Sequence, residues 1–93
     1  MKIRRSSTFK QDFKRYKRKH FDMSKVEKVI LHLINRDKDT LVNQYKDHQL
    51  KGNFSKFREL HIQPDWLLIY TKNETELILT LSRTGSHSEL LKL

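Results

Sequence analysis

The sequence predicts an α+β domain in which two N-terminal helices pack on one face of a twisted, mostly antiparallel sheet, in the order β-α-α-β-β-β. Three observations predict it. Phe9, Phe13 and Tyr16, and then Val26, Val29, Ile30, Leu33 and Ile34, recur with a helical period. After Lys56 the period shortens to two, as in strands with one buried face. Helical segments precede strand segments rather than alternating with them, which separates the layers instead of building a parallel α/β sheet.

Each element has a local cause. Lys2 to Arg5 reads as a short strand. Ser6 or Ser7 can cap the first helix, because a short side-chain oxygen accepts from a free N–H of the first turn. That helix carries Lys10, Lys14, Arg15, Lys17, Arg18 and Lys19 off its apolar face. Met23-Ser24 opens the second, with Ser24 and Glu27 at capping-box spacing. Residues 37–54 are polar and expected to be irregular, anchored by Leu41, Val42 and Tyr45. Three strands follow, at 57–63, 66–72 and 77–83, separated by turns at Pro64-Asp65 and at 73–76. Leu77, Leu79 and Leu81 alternate, so one face of the last strand should pack on the helices. The opposite face of the sheet is left for function.

Ninety-three residues make one domain, 1–93, with a core drawn from the 35% of the chain that is apolar. Twenty Lys and Arg oppose eleven Asp and Glu, for a net charge of +9. That balance favours a polyanionic partner, nucleic acid first, through phosphate contacts and counterion release. The absence of cysteine removes disulfides, thiolate catalysis and cysteine-ligated zinc. No apolar run is long enough to span a membrane, and MKIRRSSTFK has no apolar core of a secretory signal, so a cytoplasmic location without membrane contact is expected.

Proton-transferring groups crowd the C-terminal half: His48, His61, Asp65 and His87, with Arg83 close by. His61 and Asp65 flank one hairpin turn, and Arg83 and His87 straddle the breaker Thr84-Gly85-Ser86. A meander of three strands could gather all five. Strict alternation would put Arg83 on the buried face with Leu81, so either Arg83 lies beyond the sheet edge or a bulge turns it. RNA cleavage needs a base for the ribose 2′-OH, an acid for the 5′-oxygen and a cation for the phosphate. Histidine suits both proton roles and the planar fork of arginine suits the third. Singly, these residues read blandly: Asp65 as a turn residue, Trp66 as core, His20 and His32 as surface, the basic helix as a solvated face. No H-x-x-x-H pair or carboxylate cluster supports a metal, and no cofactor is expected.

Three segments, K-D-H-Q-L-K-G at 46–52, F-R-E-L-H-I-Q-P-D-W-L-L-I-Y at 57–70 and R-T-G-S-H-S-E-L at 83–90, add specificity. In order and at this spacing they resemble the YafQ branch of the RelE toxin superfamily, the ribosome-dependent mRNA endonucleases of type II toxin–antitoxin systems. The resemblance covers essentially the whole chain. It implies a microbial ribonuclease-like fold and cleavage of mRNA in the A site of the small ribosomal subunit, leaving a 2′,3′-cyclic phosphate and a 5′-hydroxyl. By motif, His87 would be the acid and Arg83 the phosphate cation, while His48, His61 and Asp65 would supply the base and hold the 2′-OH. Trp66 would shape the pocket or the mRNA path. RNA contacts are expected from Lys14, Arg15, Arg18, Lys51, Lys56, Arg58 and Leu91. Leu91 stands where family members often carry a Phe suited to stack on a base. The resemblance also implies an acidic antitoxin, with operator DNA bound only through the complex. Two alternatives are weighed: a non-catalytic toxin of the same fold, such as a gyrase inhibitor, against which His48, His61 and His87 in their motifs argue, and a plain RNA-binding module using the same basic helix, which would leave RNA uncut.

Overall fold

A computed structural model describes residues 1–90 of the 93. Strand β1 (Lys2–Arg5) leads into helix α1 (Ser7–Arg18), then α2 (Ser24–Ile34), α3 (Lys38–Tyr45) and the two-residue strand β2 (His48–Gln49). A 3₁₀ turn (Gly52–Phe54) precedes β3 (Arg58–Gln63), β4 (Trp66–Asn73), β5 (Ile78–Gly85) and the single helical turn α4 (His87–Leu90). The sheet order is β1-β5-β4-β3-β2. β1 runs parallel to β5 and the other pairs are antiparallel.

The core lies between the helices and one sheet face. Phe9 and Tyr16 of α1, Val26, Val29 and Leu33 of α2 and Leu41 of α3 bury against Leu60, Trp66, Leu68, Tyr70, Leu79 and Leu81. Alternate residues of the same strands turn the other way, where Leu67, Ile69 and Leu90 form a smaller cluster with Phe57. Trp66 stacks on Tyr16, ring centroids 5.7 Å apart, and its Nε1 donates to the buried Thr84 hydroxyl at 3.0 Å.

Several expectations need correction. The segment 37–54 is not irregular throughout, since it forms α3, β2 and the 3₁₀ turn. Only Leu41 and Tyr45 mark the inner side of α3, too sparse a pattern to read, and Val42 points outward, 42% exposed. Ser6 caps α1 as expected, accepting from Phe9 N–H at 2.9 Å. Ser24 does not cap α2; it is that helix's first residue, and Asp22 Oδ1 accepts its N–H at 3.1 Å. Leu77 belongs to the turn, at φ 56° and 46% exposed, so β5 begins one residue later.

The parity of Arg83 is decided by a bulge. Tyr70 pairs with Leu81 but Ile69 pairs with Arg83, leaving Ser82 as the extra residue. The bulge moves Arg83 from the side of Leu81 to the side of Ile69. Among the described residues no helix is long and apolar enough to cross a membrane.

Candidate active site

The open face of the sheet carries one cross-strand row, His48–Glu59–Ile69–Arg83, running over β2, β3, β4 and β5. Residues paired on neighbouring strands share a face, so this register sets an imidazole, a carboxylate and a guanidinium along one line. The next row places His61 beside Leu67 and Gly85. After Gly85 the chain turns into α4 and lifts His87 over the face. A side chain at Gly85 would meet Glu89 Oε1 and Leu90 Cδ2 at 3.1 Å, so the side chains of α4 would have to give by a few tenths of an ångström to admit one.

Glu59 is the centre of the site. Its Oε1 lies 3.3 Å from His61 Nε2, 3.7 Å from His48 Nε2 and 3.7 Å from His87 Nε2. Glu59 is 2% exposed, and its Oε2 is buried without a partner among the described residues. An unpaired buried carboxylate oxygen is costly, which makes Glu59 a poor choice for stability alone. Each imidazole is anchored at its other nitrogen by a group that only accepts. His48 Nδ1 donates to Lys46 O at 2.7 Å, His61 Nδ1 to Pro64 O at 3.1 Å and His87 Nδ1 to Asp65 Oδ1 at 3.1 Å. The Nδ1 proton is therefore fixed in all three, and Nε2 is the atom that gains or loses a proton.

Asp65 also accepts the His87 backbone N–H at 3.1 Å. That bond, together with the ring bond, holds its carboxyl below the usual carboxylate range. Arg83 is gripped from behind: Asp12 Oδ2 accepts from Nε at 2.8 Å and Oδ1 from Nη2 at 3.2 Å. These bonds push the guanidinium pKa up and leave Arg83 charged and about a third exposed. Asp12 is 1% exposed and also accepts the Thr84 N–H at 3.1 Å, where β5 has run past the end of β1.

The segment bearing His87 is clamped by Glu89. Ser86 Oγ accepts the Glu89 N–H and Glu89 Oε1 accepts the Ser86 N–H, a capping box at the start of α4. Glu89 also accepts from Tyr16 Oη at 2.7 Å and pairs with Arg15 at 3.1 Å. The tyrosine bond, then the Ser86 N–H, lowers the Glu89 carboxyl to about 2, and burial first, then Glu89, pushes Tyr16 up to about 12. A folded pKa depressed from 4.5 stabilises the fold above pH 4.5, and that contribution is lost as pH falls toward 2. Glu89→Gln should therefore lower the thermal midpoint at pH 7, and the gap to the unaltered protein should close between about pH 4.5 and 2. Melting curves across that range check it, and a gap independent of pH would mean that Glu89 acts only through packing.

Known proteins share this sequence pattern and this fold. The family model described as "Bacterial toxin of type II toxin-antitoxin system, YafQ" matches residues 1–92. The chain belongs to the YafQ toxin family. The mRNA interferase toxin YafQ of Escherichia coli K12 is 38% identical over 88 residues, which is 95% of this chain and 92% of that protein. A metal-bound toxin from Helicobacter pylori superposes with a TM-score of 0.88 at 41% identity, covering 97% of this chain and 98% of the other. YafQ in the E. coli DinJ–YafQ toxin–antitoxin complex superposes with a TM-score of 0.84 at 36% identity, covering 95% and 93%.

Within the family frame, the fold brings together His48, His61, Asp65 and His87, with Arg83 on the same face. It adds two residues that the sequence reading passed over. Glu59 alternates with Leu60 in F-R-E-L-H and so shares a face with His61, a signal that was legible. Asp12 lies one turn before Tyr16 on the buried side of α1, where a lone carboxylate signals a paired cation. Three expected RNA contacts sit elsewhere. Trp66 is 2% exposed with its N–H bonded, so it is part of the core. Arg58 pairs with Asp47 at 2.9 Å on the helix side, where Asp47 also accepts from Tyr70. Arg15 pairs with Asp12 at 3.0 Å as well as with Glu89, so it braces the site from α1. Lys14, Arg18, Lys51 and Lys56 are exposed. Leu91 lies outside the described residues.

The cluster also revises one chemical expectation. Glu59, His61 and His87 each offer a ligand atom, all within 4.8 Å of one another, so a carboxylate–histidine set does exist.

Proposed function

We propose that the protein is a ribosome-dependent endoribonuclease that cuts mRNA in the A site by acid–base chemistry, and that an acidic antitoxin restrains it. The observation that carries the reading is the convergence of three imidazole Nε2 atoms on Glu59, on the face that also presents Arg83. The mRNA interferase relative and the DinJ–YafQ complex support the substrate and the partner. A gyrase inhibitor or a plain RNA-binding module would have no use for such a cluster.

The steps follow from the anchored tautomers. His61, held at Nδ1 by Pro64 O, takes the 2′-OH proton at Nε2, the nitrogen that faces Glu59, and the 2′-oxygen attacks the adjacent phosphorus. Glu59 balances the imidazolium so formed, and His48 orients the hydroxyl from the other side. Arg83 faces the non-bridging oxygens as negative charge builds on them. His87, its ring oriented by Asp65, passes an Nε2 proton to the 5′-oxygen as the P–O5′ bond breaks. The products are a 2′,3′-cyclic phosphate and a 5′-hydroxyl. Lys14 and Arg18, with the other exposed cations of α1, bind ribosomal RNA. Operator DNA is met only through the antitoxin complex, and the site of action is the cytoplasm, where ribosomes are.

Primer extension on a reporter mRNA after brief induction tests the reading. Cuts should lie within translated frames and vanish with a translation inhibitor; intact mRNA during growth arrest would favour a non-catalytic toxin.

A second reading concerns regulation. The Helicobacter pylori relative is metal-bound, and here Glu59, His61 and His87 present a donor set suited to a divalent transition metal. Two donors on one ion lie no more than about 4 Å apart, so small side-chain movements would close the set. Such an ion would occupy the Nε2 lone pairs that move protons, so zinc or copper should inhibit rather than activate. Single-turnover cleavage at stepped zinc concentrations checks this, and acceleration by zinc would contradict it.

A further inference from the structure

Around Arg83 the open face falls into a groove of about 350 Å³ whose other lining residues the catalytic steps do not use. Phe54, Phe57, Ile69 and Leu90 make its apolar lining, and Arg83 and Thr8 line it with them. Phe54 is 40% exposed, on a face where the other apolar residues, Leu67, Ile69 and Leu90, are buried.

The turn that carries Phe54 is held firmly. Gly52 supplies the left-handed corner at φ 64°. Leu50 N–H donates to Phe57 O at 3.0 Å, Phe57 N–H donates to Phe54 O at 2.9 Å, and Gln49 Nε2 bonds both Ser55 O and Phe57 O. Lys51 and Lys56 bracket the turn and are exposed. A pinned loop presenting a bare aromatic ring between two cations is the arrangement that single-stranded nucleic acid rewards, ring to base and cation to phosphate. The groove is also continuous with the reacting centre, since Ile69 sits between Glu59 and Arg83 in the cross-strand row. A phosphate on Arg83 therefore leaves one of its two neighbouring bases within reach of the groove.

We infer that this groove is a nucleobase subsite, in which a base next to the cleaved phosphate stacks on Phe54 while Arg83 holds the phosphate. The inference rests on the RNA-cleaving reading and deepens it. It also gives the stacking role to a residue of the β2–β3 connection, in a chain whose Leu91 has no aromatic ring.

The test uses the full chain on programmed ribosomes, with 2-aminopurine placed in turn at each A-site position. In a non-cleaving His87→Gln background, one position should show fluorescence quenching on toxin binding, and Phe54→Ala should abolish it. With His87 intact, Phe54→Ala and Phe54→Leu should each raise the toxin concentration for half-maximal cleavage about tenfold, and Phe54→Trp should not. Leucine keeps the apolar contact and removes the π-face, so a Phe54→Leu variant as good as the unaltered protein would overturn stacking. Quenching that survives Phe54→Ala would overturn the site, as would cleavage unchanged in Phe54→Ala with antitoxin binding weakened, which would give the groove to the antitoxin. Phe54 is on an exposed turn, so melting temperatures should not move. If the unaltered protein binds with quenching yet never cuts, the endonuclease reading fails and the subsite stands.

Discussion

Replacing His87 with glutamine is expected to slow mRNA cleavage by about 10²–10⁴-fold while leaving ribosome binding near its original strength. Glutamine fills similar space and can still donate an N–H bond to Asp65, so the segment Ser86–Glu89 should keep its place. What it cannot do is deliver a proton to the 5′-oxygen, and an alkoxide leaves slowly unless it is protonated. Growth arrest should disappear with the cleavage. Arg83→Ala should also stop cleavage, through loss of charge at the phosphate, and Arg83→Lys should restore it only in part because an ammonium cannot match the two-bond grip of Asp12. The measurement is single-turnover cleavage beside a ribosome-binding assay. Cleavage by His87→Gln at the original rate would pass the acid role to His48 or His61; loss of binding together with cleavage would make His87 structural.

The second large effect is expected at Asp12. This carboxylate satisfies Arg83 twice, the Thr84 N–H and Arg15. Asp12→Ala strips all of them at a buried position. Both arginines are about a third exposed and water can reach them, so the cost should be about 2–3 kcal/mol, less than for a fully buried pair. For a domain of this size that is a fall of roughly 10–20 °C in melting temperature. Asp12→Asn keeps the shape and one acceptor and should lose less stability. It should still cut cleavage at saturating toxin more than it weakens ribosome binding, because Arg83 would lose its fixed orientation. Thermal melts and single-turnover rates on both variants check the pair of effects. An Asn variant that is fully active would limit Asp12 to a structural role.

The layer order, the helices and the strands were legible because their apolar periods are long. Residues 37–54 were not, since α3 has a single buried residue and β2 only two residues in all. Such elements are held by tertiary contacts rather than by pattern. The bulge at Ser82 was anticipated only as an alternative, because alternation shows the conflict at Arg83 but not its resolution. Two S-x-x-E segments illustrate the limit of motifs. Ser24 to Glu27 has the spacing without the bonds, while Ser86 to Glu89 makes both of them. The difference is context: Asp22 already serves the first site, and the second opens directly from the end of a strand.

At the site, the histidines, Asp65 and Arg83 stood out by chemistry and spacing. Glu59 was hidden among charged residues, although its parity with His61 shows on inspection. Trp66 was expected to meet RNA from its place in the motif and Arg58 and Arg15 from their charge; Trp66 instead lies in the core, Arg58 pairs with Asp47, and Arg15 pairs with Asp12 and Glu89. Net charge favours a polyanionic partner; it does not say which cations are free to bind one.

The most direct measurement is the chemistry of the cut ends, mapped on a programmed ribosome with an mRNA carrying one 2′-deoxynucleotide on the 5′ side of the cleavage site, beside an all-ribose control. The control is expected to yield a 2′,3′-cyclic phosphate and a 5′-hydroxyl, with or without a chelator selective for transition metals, and the 2′-deoxy message should stay intact. Cleavage of the 2′-deoxy message, 5′-phosphate ends, or loss of cleavage with the chelator would contradict acid–base catalysis by the histidines around Glu59.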